Sequence, residues 1–231
     1  MSAGSNGFHW RAADAYLFDI DGTLLNSRDA VHYHAFNNAV REVFGFEVVI
    51  DGVPVHGNTD AGILRAIAER QGVPSDEFAR KLPIALRQMC AEVERNREQM
   101  HPEICPSVID LLDLLRAEGK LLGIVTGNLE TIGWTKLARC GLREYFSFGA
   151  FSDGQPDRPA IVRAGVEEAR RRLGPAAPVY IVGDTPSDVI AAREVGVPVI
   201  ALASGIFSPD ELAEHGPDLC LPCCTDLLAL A

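Results

Sequence analysis

The 231-residue sequence has no long apolar run, no basic leader and no excess of positive charge. A membrane-spanning helix needs about 18 consecutive apolar residues, and no window of the chain contains them. The first ten residues are small and polar and do not resemble a secretory signal, so we expect a cytoplasmic location. Lys and Arg number 21 against 32 Asp and Glu, a net charge of −11. This acidic balance argues against nucleic acid or an anionic membrane as the main partner and leaves the oligomeric state open.

The composition is otherwise that of an ordinary globular protein, with 47% hydrophobic and 23% charged residues. These proportions exclude a disordered chain, collagen and a coiled coil. Of the six cysteines, only Cys220, Cys223 and Cys224 lie close together, and the first two have C-x-x-C spacing. A zinc site normally needs a second pair of ligands, and no comparable Cys/His pair is evident. We therefore expect these cysteines to be small residues at the edge of the core.

Short apolar segments followed by polar or Gly-containing turns predict a buried sheet. Such segments span residues 15–19, 121–126, 148–151, 179–183 and 197–202. Their apolar character is continuous rather than alternating, which is typical of strands covered on both faces. From residue 106 onward, helical patterns alternate with them. The sequence therefore predicts an α/β fold, a Rossmann-like doubly wound parallel sheet.

One segment interrupts this alternation shortly after the first strand. It has helical patterns at residues 30–44, 59–71 and 75–97. A plain crossover between parallel strands needs only about a dozen residues, and a structureless loop of this length is implausible. We therefore predict a helical domain at 27–101, inserted into a core domain formed by 1–26 and 102–231.

Polar residues follow three of the predicted strands. They are Asp19 and Asp21, then Thr126, Gly127 and Asn128, then Asp184 and Asp188. Each group alone is also typical of a turn or a helix cap. Ligands of open parallel sheets bind beyond the carboxyl ends of the strands, where these groups meet. Four carboxylates in one place repel each other unless a cation intervenes, so the cluster predicts a hard cation such as Mg²⁺.

The same residues resemble the motifs of a known superfamily. Asp19-Ile-Asp21-Gly-Thr resembles the first motif (DxDGT) of the haloacid dehalogenase-like (HAD) superfamily, Thr126-Gly-Asn128 its second, and Gly183-Asp184 through Asp188 its fourth. The inserted helices resemble a type-1 cap domain, and the chain is most similar to the phosphoglycolate phosphatase-like hydrolases. The resemblance implies a Mg²⁺-dependent phosphatase for a small phosphorylated metabolite. A phosphosugar mutase, like β-phosphoglucomutase, and a pyrophosphatase or nucleotidase are alternatives.

The resemblance also implies roles for the acidic residues. Asp19 would be the nucleophile that forms an aspartyl-phosphate. Asp21 would protonate the leaving oxygen and then activate water, and its presence favours phosphoryl transfer over dehalogenation. Mg²⁺ would be held by the carboxylates of Asp19 and Asp184 and the backbone carbonyl of Asp21, with Asp188 behind them.

Substrate contacts are expected from the second motif and the cap. The Thr126 hydroxyl and the Gly127 amide would bind phosphoryl oxygens, with Asn128 beside them. In the cap, Asn58 in the turn His56-Gly-Asn-Thr-Asp60 is the first candidate, although a simple capping turn explains the pattern equally well. Asn26, His34 and Arg65 are weaker candidates.

The third motif departs from the usual pattern, which is a Lys before a Pro. The chain has three lysines, Lys81, Lys120 and Lys136, and none follows the third strand. Arg158, before Pro159, is the candidate to supply the positive charge at this point. A receiver-like phosphorylatable switch would share the acidic cluster, but it has no use for a cap that excludes water.

Overall fold

The structure, a computed structural model, describes residues 8–26, 30–48, 52–53, 55–155 and 157–230. In chain order, the strands of these residues are β1 Ala15–Phe18, β2 Leu25–Asn26, β3 Glu103–Ile104, β4 Leu121–Val125, β5 Phe148–Ala150, β6 Val179–Gly183, β7 Val199–Leu202 and β8 Leu219–Leu221. Six of them form one parallel sheet in the order β5-β4-β1-β6-β7-β8. The predicted doubly wound α/β fold is confirmed.

The central strand β1 shows why the apolar segments are continuous. Ala15 pairs with Leu121 of β4 on one side and with Val179 of β6 on the other. Side chains alternate across the sheet, so Tyr16 and Phe18 pack into the apolar cluster on one face. Ala15 and Leu17 pack into the cluster on the opposite face. Every residue of the strand is therefore buried.

Helices cover both faces of the sheet and form the insertion. In the described residues they are α1 Ala30–Ala39, α2 Asp60–Arg70, α3 Ser75–Asn96, α4 Val108–Ala117, α5 Glu130–Arg139, α6 Arg158–Leu173, α7 Pro186–Val195, α8 Pro209–Ala213 and α9 Cys224–Leu228. A wider π-helical turn, Val40–Phe44, extends α1. None of these described helices combines the length and apolar character that a bilayer crossing requires.

Thr185 and Ser187 both have the hydroxyl of a helix cap, and Thr185 is the one that caps α7. Pro186 occupies the first helical position. The Thr185 hydroxyl accepts a hydrogen bond from the backbone N–H of Asp188, and the Asp188 carboxylate accepts one from the Thr185 N–H. This reciprocal capping box holds Asp188 at the end of β6.

Helices α1, α2 and α3 pack around an apolar cluster of their own, which includes Phe36, Leu64 and Met89. Leu129 and Ile132, at the start of α5, complete the cluster, so the insertion rests on that end of the core. The chain leaves and re-enters the core through the antiparallel pair β2–β3. The predicted domain limits remain a prediction, and residue 27 lies outside the described residues.

Candidate functional site

A cavity of about 540 Å³ lies between the carboxyl ends of the strands and the insertion. Most residues that the sequence analysis selected line it. They are Asp19, Asp21, Asn58, Thr126, Gly127, Asn128, Arg158 and Asp184. Asp188 lies behind this wall and is fully buried. The sheet topology explains the convergence, since loops that follow neighbouring parallel strands meet at one edge.

Three carboxylates form a compact buried group at this edge. Asp19, Asp184 and Asp188 each offer an oxygen, and these oxygens lie within 4.8 Å of one another. It is the one cluster of three or more potential metal-ligating side chains among the described residues. Gly22 and Gly205 border Asp184, and a Cβ at either glycine would overlap its carboxylate. The two glycines therefore leave the space that Asp184 occupies.

Burial makes this group costly to ionise. Burial and the negative charges of Asp188 and Asp21 raise the pKa of Asp19 to about 6, although the positive charge of Arg158 acts to lower it. Burial followed by the charges of Asp19 and Asp188 raises the pKa of Asp184 well above its ordinary value. Crowded carboxylates with raised pKa values are the donor set that suits a hard divalent cation. The residues present therefore fit Mg²⁺.

Arg158 is the cation nearest to Asp19. It is the first residue of α6, after the N-cap Asp157, and only 6% of it is exposed. Its Nη2 lies 2.8 Å from Asp19 Oδ1 and 2.5 Å from Asp188 Oδ1. Arg158, predicted as the source of positive charge at this point, is therefore buried at a helix start, where it bridges two carboxylates.

Asp188 has both carboxylate oxygens engaged by the protein. Oδ1 accepts from Nε and Nη2 of Arg158, at 3.0 and 2.5 Å. Oδ2 accepts from the backbone N–H and the hydroxyl of Thr185, at 3.1 and 2.7 Å. Asp188 therefore fixes the guanidinium of Arg158, which fits the predicted place behind the metal rather than in contact with it.

Lys136 belongs to the site, which the sequence analysis did not anticipate. Its Nζ lies 2.8 and 2.7 Å from the two carboxylate oxygens of Asp21 and 2.9 Å from Asn128 Oδ1. Burial acts to raise the pKa of Asp21. The charge and hydrogen bonds of Lys136, together with the hydrogen bond from Asn128, outweigh burial and lower this pKa to about 2. A signal existed in the sequence, because Lys136 lies on the buried face of α5 with Ile132 and Leu137.

Thr126 and Asn128 are held together at the end of β4. The Thr126 hydroxyl oxygen accepts a hydrogen bond of 2.8 Å from Asn128 Nδ2. Accepting this bond uses only a lone pair, so the hydroxyl hydrogen remains a donor toward the cavity. Asn128 also donates to Asp21 Oδ2 at 2.7 Å. The second motif therefore supports the acidic first motif directly.

The loop before α2 joins the insertion to the second motif. The Asp60 N–H donates to the Gly127 carbonyl oxygen at 3.0 Å, and Asp60 Oδ2 accepts from the Leu129 N–H at 2.9 Å. His32 of α1 lies 3.2 Å from Asp60 Oδ1. Asp60, which the sequence analysis did not select, thus connects the insertion with the core at the cavity. Asn58 lines the cavity beside it.

The weaker candidates for substrate contact fall in different places. Asn26 lines the cavity. His34 is exposed on α1, and the guanidinium of Arg65 stacks over the Phe78 ring, so neither is among the residues that line it.

Replacing Gly127 with Ala is expected to lower turnover about 100-fold, because a Cβ at this position would overlap the Asn58 carbonyl oxygen and displace the loop before α2. The check is steady-state phosphate release, the activity that the superfamily resemblance implies, measured together with the melting temperature. Gly141→Ala is the control, since a Cβ there meets no atom within 4 Å and only the positive φ is strained. Equal activity of the two variants would contradict the steric argument.

The cysteine cluster of Cys220, Cys223 and Cys224 gives no indication of a metal site. Cys220 and Cys223 are free and half-buried, and Cys224 is buried. Burial raises the pKa of Cys220 and raises that of Cys224 to about 12, which disfavours the reactive thiolate. No cysteine joins a group of three possible metal ligands in the described part of the chain.

Comparisons with known proteins agree with this site. The family model described as haloacid dehalogenase-like hydrolase matches residues 16–202. A phosphoglycolate phosphatase of Synechococcus elongatus is 32% identical over 216 residues, which are 93% of this chain and 95% of that protein. A pyrophosphatase PpaX of Halalkalibacterium halodurans is 27% identical over 92% of this chain and 94% of its own length.

A solved structure shares the fold of this chain. The crystal structure of a predicted phosphoglycolate phosphatase from Haemophilus somnus superposes with a TM-score of 0.70 at 22% sequence identity, covering 95% of this chain and 98% of that one. The matched segment contains all three motif regions, β1 with Asp19 and Asp21, the turn after β4 and the turn after β6. The predicted resemblance is confirmed, and the chain belongs to the haloacid dehalogenase-like hydrolase family, as an enzyme of that family.

Proposed function

We propose that the protein is a Mg²⁺-dependent phosphatase that hydrolyses a small phosphorylated metabolite through an aspartyl-phosphate on Asp19. The observation that carries the proposal is the buried contact of Asp19 with Arg158 beside Asp184, at the wall of the cavity. A nucleophilic carboxylate, a fixed cation and a metal-binding carboxylate are the groups that in-line displacement at phosphorus requires. The cytoplasm remains the proposed location.

Each residue of the site has a separate role in the proposed reaction. An oxygen of Asp19 attacks phosphorus while Thr126, the Gly127 amide and Arg158 bind the phosphoryl oxygens. Lys136 keeps Asp21 ionised in the free site, so Asp21 must take up a proton as substrate binds before it delivers one to the leaving oxygen. It afterwards takes a proton from the water that hydrolyses the acyl phosphate. Asn58 and the rest of the cap loop close the cavity above the leaving group, which excludes bulk water.

The metal would be held by this chain's own oxygen donors. The carboxylates of Asp19 and Asp184 and the backbone carbonyl of Asp21 would hold Mg²⁺, with Asp188 supporting the group through Arg158. When bound, the ion supplies positive charge that neutralises the phosphoryl oxygens and lets the carboxylates stay ionised.

The relatives suggest the substrate class. The relative from Synechococcus elongatus is named a phosphoglycolate phosphatase, so a phosphoglycolate-like monoester is the first substrate to test. Pyrophosphate is the second candidate, because relatives named pyrophosphatase PpaX match nearly the whole chain. A panel of phosphorylated metabolites, assayed for phosphate with and without Mg²⁺, tests the proposal. Isomerisation of a phosphosugar without net phosphate release would favour a mutase, and a stable aspartyl-phosphate without turnover would favour a switch.

Mg²⁺ is expected to stabilise the fold more at neutral than at acidic pH. Because Asp19, with a pKa of about 6, holds a proton in acid, the metal must displace that proton there and binds more weakly. Without metal, the native state binds this proton more tightly than the unfolded chain, so its contribution to stability is present below about pH 4 and is lost as pH rises through 6. At saturating Mg²⁺, we expect the melting temperature to rise by about 5 °C or more near pH 7.5, with a smaller rise near pH 5. Thermal melts with MgCl₂ against EDTA measure it, and an equal rise at both pH values would contradict the assignment.

A further inference from the structure

The second buried cation of the site, Lys136, is not part of the third motif, whose position Arg158 occupies. It projects from α5, two turns after the helix begins, and only 4% of it is exposed. Side chains of a helix tilt toward its N-terminus, so the ammonium group reaches back to the end of β4 and lines the cavity. Burying a charge to this extent costs free energy unless neighbouring groups of opposite charge or hydrogen-bond acceptors compensate it.

All three donor hydrogens of the ammonium group are used by neighbouring residues. Nζ contacts both carboxylate oxygens of Asp21 and Oδ1 of Asn128, at 2.7 to 2.9 Å. Asn128 is oriented by the same contacts, since its oxygen must face the Lys136 donor and its Nδ2 donates to Asp21 Oδ2. Lys136 therefore has no hydrogen left for a phosphoryl oxygen in this arrangement, and its influence on the reaction passes through Asp21.

The contacts also fix where the Asp21 carboxylate points. Two of its acceptor sites face Lys136 and one faces Asn128, and a carboxylate offers about four such sites. Asp21 lines the cavity, so the remaining acceptor site is available to a substrate bound there. The phosphoryl group is expected beside Asp19 and Arg158 on the core side, which puts the leaving alcohol between Asp21 and the cap.

We propose that Lys136 is a positioning residue that holds the Asp21 carboxylate toward the leaving-group oxygen. This inference rests on the proposed phosphatase function. It gives the two buried cations of the site different roles. Arg158 contacts the nucleophile Asp19, and Lys136 contacts the residue that exchanges a proton with the leaving group.

The test compares two substrates whose leaving groups differ strongly in their need for that proton, and each substrate is referred to its own wild-type rate. The leaving group of ethyl phosphate is an alkoxide that must be protonated. The leaving group of 2,4-dinitrophenyl phosphate is a phenolate that is stable without a proton. For Lys136→Met we expect kcat/KM to fall about 100-fold with ethyl phosphate, the cost of a misplaced catalytic group. With the dinitrophenyl ester we expect a change of less than about threefold, since kcat/KM reports steps up to departure of the leaving group.

Matched variants separate positioning from folding. Lys120→Met makes the same substitution elsewhere in the core domain. Lys120 donates to the Arg11 carbonyl oxygen, away from the cavity. We therefore expect this variant to keep the wild-type kcat/KM with both substrates. Lys136→Arg restores a cation and should recover part of the ethyl phosphate activity. If Lys136→Met does not fold, Lys136→Gln, which keeps a donor but no charge, takes its place, with the Mg²⁺-induced rise in melting temperature as evidence of an intact site.

The outcomes are distinct. A selective loss with ethyl phosphate supports the inference. An equal loss with both substrates would mean that Lys136 acts on the phosphoryl group or on the fold, and no loss with either would mean that Asp21 is positioned without it; each result overturns the inference and leaves the phosphatase assignment intact. Failure of the wild type to release phosphate with Mg²⁺ from both esters and from every member of the metabolite panel overturns the proposed function, and the inference with it.

Discussion

Asp19→Asn is expected to abolish Mg²⁺-dependent phosphate release, with a loss of more than about 1,000-fold, because an amide cannot form the acyl phosphate. The same substitution should leave the fold intact. Asp19 is buried and its pKa is raised to about 6, so removing its negative charge relieves crowding with Asp184 and Asp188. We expect a melting temperature in EDTA that is no lower than that of the wild type, together with a smaller stabilisation by Mg²⁺.

The matched control for this substitution is Asp110→Asn. Asp110 is an exposed aspartate in the first turn of α4, remote from the cavity lining, and the same chemical change there should leave turnover unchanged. Labelling with a ³²P-phosphorylated substrate followed by acid quench provides a second readout, since the wild type should trap phosphate on protein and Asp19→Asn should not. Phosphate release by Asp19→Asn at the wild-type rate would refute the assignment of Asp19 as the nucleophile.

Arg158→Met is expected to have the second-largest effect, on activity and stability together. The substitution leaves two buried carboxylates, Asp19 and Asp188, without their cation. Removing one member of a buried ion pair costs about 3 to 5 kcal/mol of unfolding free energy. Losing a fixed positive charge at the phosphoryl oxygens should lower kcat/KM by about 100-fold to 1,000-fold. Urea unfolding and steady-state kinetics measure the two losses.

Arg158→Lys tests whether charge or shape matters at this position. The superfamily resemblance implies a Lys here, so the ammonium should restore much of the activity. It cannot reproduce the two contacts that Nε and Nη2 make with Asp188 Oδ1, and we expect turnover between those of Arg158→Met and the wild type. Arg163→Met is the control, since Arg163 is half exposed on the same helix and pairs only loosely with Glu194 at 3.7 Å. Wild-type kinetics in Arg158→Met would show that this cation is dispensable.

The sheet and the acidic cluster were predictable because their signals are local. A strand buried on both faces has to be apolar at every position, as β1 is, and residues that follow parallel strands must meet at one edge whatever the details of packing. The positions of Asp19, Asp184 and Thr126 follow from these two facts and the order of the strands. The charged partner of Asp19 was predictable as a residue, Arg158, but not as a buried one.

Other contacts depend on how separate elements dock, and no local pattern encodes them. Lys136 reaches Asp21 only because α5 packs at a particular depth against the end of β4. Asp60 meets the Leu129 N–H only because the insertion rests on α5. The N-cap of α7 is a third example, because Thr185 and Ser187 both have the hydroxyl that a cap needs and are separated only by Pro186. The residue types alone do not choose between them.

The place of β1 in the sheet has a consequence for the order in which the chain can fold. Both hydrogen-bonding neighbours of β1, the strands β4 and β6, follow the insertion in the sequence. β1 must therefore wait until β6 has been synthesised before both its edges are paired. Meanwhile α1, α2 and α3 can already gather around their own apolar cluster. Such long-range pairing slows folding, and we expect synthesis to expose β1, one of the most apolar segments of the protein, longer than any other strand of the sheet.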